Sequence, residues 1–273
     1  MAHDKIGPFT ILGELGTGAG SQVFRIRRHA DRAEFALKLV YAETRLHLKY
    51  LEQLQHEYDI GQFLKHPNII RMYALEMESD WLFRPKKGQL LLEFAPGRAP
   101  DRFPRLSPDR LVHIFMQVAS ALAHMHSKGI YHADLKPDNL ILGPRDTVKV
   151  IDFGLAGFEG EMETRVHGTP EYMAPETKLR KVIDARTELY NFGATMYRLA
   201  TLRHLPQSVP GVALNQRTHS RLVIPVAKLN DEIPEELCEL IHWCIRYEPE
   251  ARPQQVSDVQ EILHHLARQC GEA

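Results

Sequence analysis

The run Tyr131-His132-Ala133-Asp134-Leu135-Lys136-Pro137-Asp138-Asn139, followed by Asp152-Phe153-Gly154, constrains this chain more than any other feature. The first segment supplies a carboxylate, a lysine and a carboxamide. The second supplies another carboxylate beside a Phe-Gly pair. For these groups to act together, the fold must bring two separate loops to one place. Moving a phosphoryl group from a nucleotide to a hydroxyl uses such a set. A carboxylate receives the hydroxyl proton, a cation sits beside the migrating charge, and oxygen ligands hold Mg²⁺.

Upstream, Gly16-Thr17-Gly18-Ala19-Gly20-Ser21-Gln22-Val23 lies between alternating apolar stretches at 9–12 and 23–26, which predicts a β-hairpin with a glycine-rich tip. Glycine there lets backbone N–H groups approach phosphate oxygens, although a plain flexible turn reads the same residues equally well. Residues 34–40 form a strand with one lysine, Lys38, in an apolar run; alone, a surface lysine on an edge strand accounts for it. Residues 51–64 read as a helix ending before His66-Pro67-Asn68. Residues 89–94 read as a short buried strand running into the bend Ala95-Pro96-Gly97. Ser107 is placed to cap a further helix, with Pro108 at its first position and Asp109 complementing its dipole. Leu111, Ile114, Phe115, Val118, Ala121, Leu122 and Met125 follow at helical spacing. His124 and His126 near its end point to different faces and make a poor metal pair.

Taken together these motifs resemble the eukaryotic-type (Hanks-type) serine/threonine protein kinase domain, and the resemblance covers nearly the whole chain. It implies an α+β, bilobal fold in a single domain spanning 1–273. A small antiparallel N-lobe with one main helix would occupy about 1–95, a hinge about 93–97, and a larger helical C-lobe about 98–273. Asp134, Lys136 and Asn139 would then be catalytic, with Asp134 taking the hydroxyl proton. Asn139 and Asp152 would hold Mg²⁺, with manganese as an alternative. ATP would lie under the loop Gly16, Thr17, Gly18, Ala19, Gly20 and Ser21. Lys38, paired with Glu57, would face its phosphates. Val23, Ala36, Leu92 and Ile141 would flank the adenine, though plain core serves equally for the apolar plates. Main-chain groups of Glu93 and Ala95 would bind its edge. His167-Gly168-Thr169-Pro170-Glu171-Tyr172-Met173-Ala174-Pro175-Glu176 resembles an activation segment, with Thr164 and Thr169 as its notable threonines and Thr169 turned toward Asp134 and Lys136. His132, Phe153, Glu176, Glu188 and Arg252 would be structural, Glu176 and Arg252 as a buried bidentate pair.

Five positions depart from the family pattern. Ala133 replaces the arginine that usually follows the histidine, a His-Ala-Asp variant, which predicts independence from loop phosphorylation acting through that residue. Gly20 sits where an aromatic tip is common and Ser21 replaces a glycine, which predicts a looser lid and modest nucleotide affinity. Gly61 falls where a bulky apolar residue is usual; either a gap remains there, loosening the helix, or Phe63 or Met72 fills it. Glu188 stands where aspartate anchors the catalytic loop, adding a methylene. The acidic residues Glu159, Glu161 and Glu163 read as a solvated loop.

A chain of 273 residues with net charge −1 suits one sizeable core and gives no electrostatic reason to bind nucleic acid or an anionic membrane. Three cysteines without a pairing pattern, and no signal-like N-terminus or bilayer-length apolar run, point to the cytoplasm. Residues 203–229 read as an irregular insertion, and 254–269 as a final amphipathic helix. The expected activity is transfer of the ATP γ-phosphate to Ser/Thr hydroxyls of protein substrates, autophosphorylation included, by a monomer or weak homodimer. Two alternatives stay open: an inactive nucleotide-binding scaffold, and a small-molecule phosphotransferase.

Overall fold

A computed structural model describes residues 5–18, 20–44, 47–160, 168–177, 184–206 and 215–271. Contacts divide the chain into two compact units. The first comprises Met1–Lys65, Ile69–Pro96 and Asp152–Gly154; the second comprises His66–Asn68, Gly97–Ile151 and Leu155–Ala273.

The first unit is an antiparallel sheet with one long helix. Its strands are β1 (Lys5–Ile6), β2 (Phe9–Gly18), β3 (Ser21–Arg28), β4 (Glu34–Tyr41), β5 (Met72–Ser79) and β6 (Pro85–Glu93), in the order β1-β2-β3-β4-β6-β5. Period-two alternation in β4 sends Phe35, Leu37 and Leu39 into a core with Ile26, while Ala36 and Lys38 take the other face. β2 and β3 close at Gly18 opposite Ser21, so the glycine-rich hairpin is present where the sequence predicts it. Helix α1 (Leu48–Phe63) begins three residues before the predicted start. No acidic residue marks its first turn and His47 at the N-cap makes no side-chain bond, so the sequence carried no start signal there.

Gly61 leaves no gap. A Cβ built on it collides with the Met72 Sδ, while Phe63 is exposed, so Met72 supplies the volume and the predicted alternative of a loosened helix fails. Gly61→Leu is expected to lower stability by about 1–3 kcal/mol through overpacking. Adding Met72→Ala should recover most of that loss. A double-mutant cycle by thermal denaturation measures the coupling, and additive effects would contradict the packing.

The second unit is mainly helical: α2 (Pro108–His126), α3 (Ala185–Thr201), α4 (Gln216–Leu222), α5 (Val226–Leu229), α6 (Glu235–Cys244) and α7 (Val256–Gly271), with two short hairpins, β7 (Ile130–Tyr131) with β10 (Gly157–Phe158) and β8 (Leu140–Leu142) with β9 (Val148–Val150). The apolar stripe of α2 is buried as its periodicity requires, and Phe115 meets Phe192 of α3 edge-on at 5.2 Å. Ser107 occupies the N-cap of α2 but makes no side-chain cap bond, contrary to expectation; Pro108 and Asp109 hold their predicted places. The stretch 203–229 is not simply irregular. It contains α4, closed by a capping box between Asn215 and Thr218, and then α5. Cys238 and Cys244 are buried and free. Among the described residues, no helix is long and apolar enough to cross a membrane.

Candidate active site

In the first unit, Lys38 is held by two carboxylates. Its Nζ donates to Glu57 Oε2 at 2.6 Å and lies 3.7 Å from Asp152 Oδ1. Glu57 is fully enclosed on α1, where the Phe153 amide bonds to it as well. Burial works against the Lys38 charge, but Glu57 and Asp152 outweigh it and push the ammonium pKa above its ordinary range. Asp152 adopts φ +66°, a left-handed conformation unusual for a residue with a side chain, and its carboxylate is half exposed while Phe153 is buried.

Gly16, Thr17 and Gly18 end β2, and Ser21 and Val23 begin β3. Gly20 forms the turn at φ +86°, and Ala19 lies outside the described residues. Ala36 pairs with Leu92 across the sheet and both are buried; Glu93 ends β6 and Ala95 follows in the bend. The Glu93 side chain is not idle, as it accepts from the Arg71 N–H at 3.1 Å.

The second unit gathers His132, Asp134, Lys136, Asn139 and Thr169. Lys136 Nζ donates to Asp134 Oδ2 and to Thr169 Oγ1, each at 2.6 Å. The Thr169 N–H donates to Asp134 Oδ1 at 2.8 Å, so lysine, aspartate and threonine form a closed ring of bonds. Gly168 reaches Asp134 at φ +113°, a conformation that favours glycine. The Asn139 amide nitrogen donates to Asp134 O at 2.8 Å, which leaves the amide oxygen as the atom available to a cation. The short turn Pro137–Asn139 delivers Asn139 to β8, where Ile141 is half-buried. Thr164 lies outside the described residues, as do Glu161 and Glu163.

Glu188 anchors the loop that carries Asp134. Its Oε1 accepts from the His132 and Ala133 N–H groups at 2.7 and 3.1 Å, and its Oε2 meets His126 Nε2 at 2.6 Å. Ala133, at φ +64°, is the strained residue that the two amide bonds hold in place. His126 therefore belongs to this network, and His124 stacks on His66 at 5.4 Å. Sequence spacing gave no sign of the His126 contact, because its partner is 62 residues away.

Further along, Arg252 forms a bidentate pair with Glu176 at 2.6 and 2.8 Å, lying over the Tyr190 ring at 4.8 Å. Tyr190 in turn meets His219 Nε2 at 3.2 Å, and His219 packs against Tyr247. Burial first, and the Arg252 charge second, lower the His219 pKa from 6.5 to about 4. Above pH 6.5 the imidazole is neutral in folded and unfolded chains alike. As pH falls toward 4, only the unfolded chain takes the proton readily, so stability falls. By pH 5 the loss from this group approaches about 2 kcal/mol. His219→Gln should flatten the slope of thermal stability between pH 7 and 5; an unchanged slope would refute the assignment.

Among the described residues, no three His, Cys, Asp or Glu side chains cluster to hold a metal by themselves. Asp152 in the first unit and Asn139 in the second each carry a hard oxygen donor, the type that suits Mg²⁺.

The protein kinase domain family model matches residues 9–266. Serine/threonine-protein kinase Pkn1 of Myxococcus xanthus is 28% identical over 95% of this chain and 38% of its own length. CBL-interacting protein kinase 11 of Oryza sativa subsp. japonica is 28% identical over 90% of this chain and 49% of its own. Aurora kinase C of Mus musculus is 28% identical over 98% of this chain and 94% of its own. The chain thus spans less than half the length of the first two relatives. With a match across nearly all of its length and the bonded Asp134, Lys136 and Thr169 within it, the chain belongs to the protein kinase domain family.

Proposed function

We propose that this chain transfers the γ-phosphate of ATP to serine and threonine hydroxyls of proteins. The observation that carries the reading is the closed ring of Asp134, Lys136 and Thr169. A carboxylate held by a lysine and a main-chain amide is fixed in direction, as a base for an alcohol must be. Asp134 orients the substrate hydroxyl and takes its proton. Lys136 balances charge at the transferred phosphoryl group. Thr169 narrows the approach so that a short side chain reaches Asp134, which favours Ser and Thr over Tyr. Asn139 and Asp152 would hold Mg²⁺, which supplies charge neutralisation at the phosphates; the residues do not discriminate it from Mn²⁺. Lys38, aimed by Glu57, grips the nucleotide phosphates with the amides of 16–21. Val23, Ala36, Leu92 and Ile141 line the adenine site, with main-chain groups of Glu93 and Ala95 at its edge. In this reading the first unit corresponds to the N-lobe and the second to the C-lobe.

His-Ala-Asp in place of His-Arg-Asp makes the enzyme independent of a phosphate on the activation segment bound through residue 133. Glu188 supports that independence, since it already holds the loop amides. A cytoplasmic setting fits the free buried Cys238 and Cys244. The test is radiolabelled ATP with Mg²⁺, given to the chain alone and with dephosphorylated casein, using Asp134→Asn as control. Label on serine and threonine that disappears in the control supports the proposal. Nucleotide binding without any transfer would replace it with a scaffold role.

A further inference from the structure

The glycine-rich turn is not bare. A Cβ built on Gly20 would lie 2.5 Å from Tyr50 Cδ2, 2.8 Å from Cε2 and 2.9 Å from Cγ. Those distances mean that the flat of the Tyr50 ring rests directly on the Gly20 backbone. Tyr50 is half-buried in the first turn of α1, with His47 beside it and the Lys49 ammonium 4.8 Å from its ring centre. The turn for which the sequence predicts a looser lid thus carries an aromatic contact from the helix.

Position along α1 gives the contact its consequence. Tyr50, Leu54, Glu57 and Gly61 recur at i, i+4, i+7 and i+11, one face of the helix. Leu54 packs at Gly88 of β6, Glu57 bonds to Lys38, and Gly61 receives Met72. One rigid face therefore touches the phosphate loop at one end and the phosphate-binding lysine at its middle. Any rotation of α1 that breaks the Lys38–Glu57 bond also moves the ring from under the turn. Glycine at residue 20 is needed on both counts, because φ is +86° and because any side chain there would displace the ring.

We propose that Tyr50 is a positioning residue for nucleotide binding: it closes the phosphate loop from the helix side and ties loop order to the Lys38–Glu57 pair. The inference rests on the kinase reading for its ligand, but the contact itself does not. The ring acts by shape, and no hydrogen bond of its hydroxyl enters the argument, so phenylalanine should substitute for it. A preformed loop loses less entropy on gripping phosphates than a free one.

The experiment compares wild type with Tyr50→Ala, Tyr50→Leu and Tyr50→Phe. A fluorescent ATP analogue with Mg²⁺ is titrated against each, and amide hydrogen exchange of 16–22 is followed without nucleotide. Tyr50→Ala should weaken nucleotide binding about five- to tenfold, raise KM for ATP by a similar factor and leave KM for casein unchanged. Exchange of 16–22 should quicken, with Tyr50→Leu intermediate and Tyr50→Phe close to wild type. A merely structural role would lower melting temperature without separating the two KM values. Should Tyr50→Ala keep its affinity within twofold and its exchange unaltered, the proposal is wrong. If wild type binds no nucleotide, the kinase reading fails, and the exchange of 16–22 alone then decides whether Tyr50 orders the loop.

Discussion

Asp134→Asn should cut phosphate transfer by roughly 10²–10⁴-fold while nucleotide affinity stays within a few-fold of wild type. The substitution keeps the size and planarity of the side chain. The amide oxygen still accepts from the Thr169 N–H, so that main-chain tie remains. What changes is the other side. An amide nitrogen opposite the Lys136 ammonium places donor against donor where a 2.6 Å charge-assisted bond now stands. Lys136 then keeps only its bond to Thr169, and in the proposed reaction the substrate hydroxyl would lose its proton acceptor. The bonds that hold Lys38 run to Glu57 and Asp152 and do not involve Asp134, so the proposed phosphate grip is expected to stay. Single-turnover rates, together with nucleotide titration, separate the two effects. A variant that transfers phosphate at more than a tenth of the wild-type rate would remove Asp134 from the role of base.

The second large effect concerns stability. Arg252→Ala is expected to cost about 3–5 kcal/mol, because it strands the partly enclosed Glu176 carboxylate and several carbonyls together. The guanidinium uses its whole donor set: Nη1 and Nη2 bond to the two Glu176 oxygens, and the remaining N–H groups reach the carbonyls of Arg246, Arg186 and Tyr247. For a chain of this size that corresponds to a fall in melting temperature of about 10 °C. Arg252→Lys should recover little, since a single ammonium cannot reproduce the fork. Removing both charges, as in Glu176→Gln with Arg252→Met, should be milder than Arg252→Ala. Differential scanning calorimetry of the four proteins checks the order. Equal stability of Arg252→Ala and wild type would mean that the pair is not structural.

The sequence was most legible where chemistry leaves little choice. The segments around Asp134, Asp152 and Lys38 are short, and their residue types have few other uses together, so the family resemblance they carry implied the bonds to Glu57 and Thr169. The first hairpin followed from alternation at 9–12 and 23–26. Helix starts were less legible: α1 has no cap signal before Leu48, and Ser107 occupies a cap position without bonding from it. The helix α4 inside 203–229 was announced by Asn215 and Thr218, a capping box hidden among residues that otherwise read as a loop. Harder still were contacts between residues distant along the chain. His126 with Glu188 and Tyr50 with Gly20 depend on packing that no local pattern encodes, although the seven-residue step from Tyr50 to Glu57 places both on one helix face. Met72 in the space beside Gly61 was one of two candidates, and only packing chose between them.

One carboxylate serves two masters at Glu188. Because the His132 and Ala133 amides hang from a side chain on α3, the bend before Asp134 takes its shape from a helix within the same unit. That shape is inherited when the unit folds, ahead of any signal. An input meant to reshape this bend must therefore reach it through the seating of α3, and a regulator that touched only the loop would be pulling against an anchor it does not control.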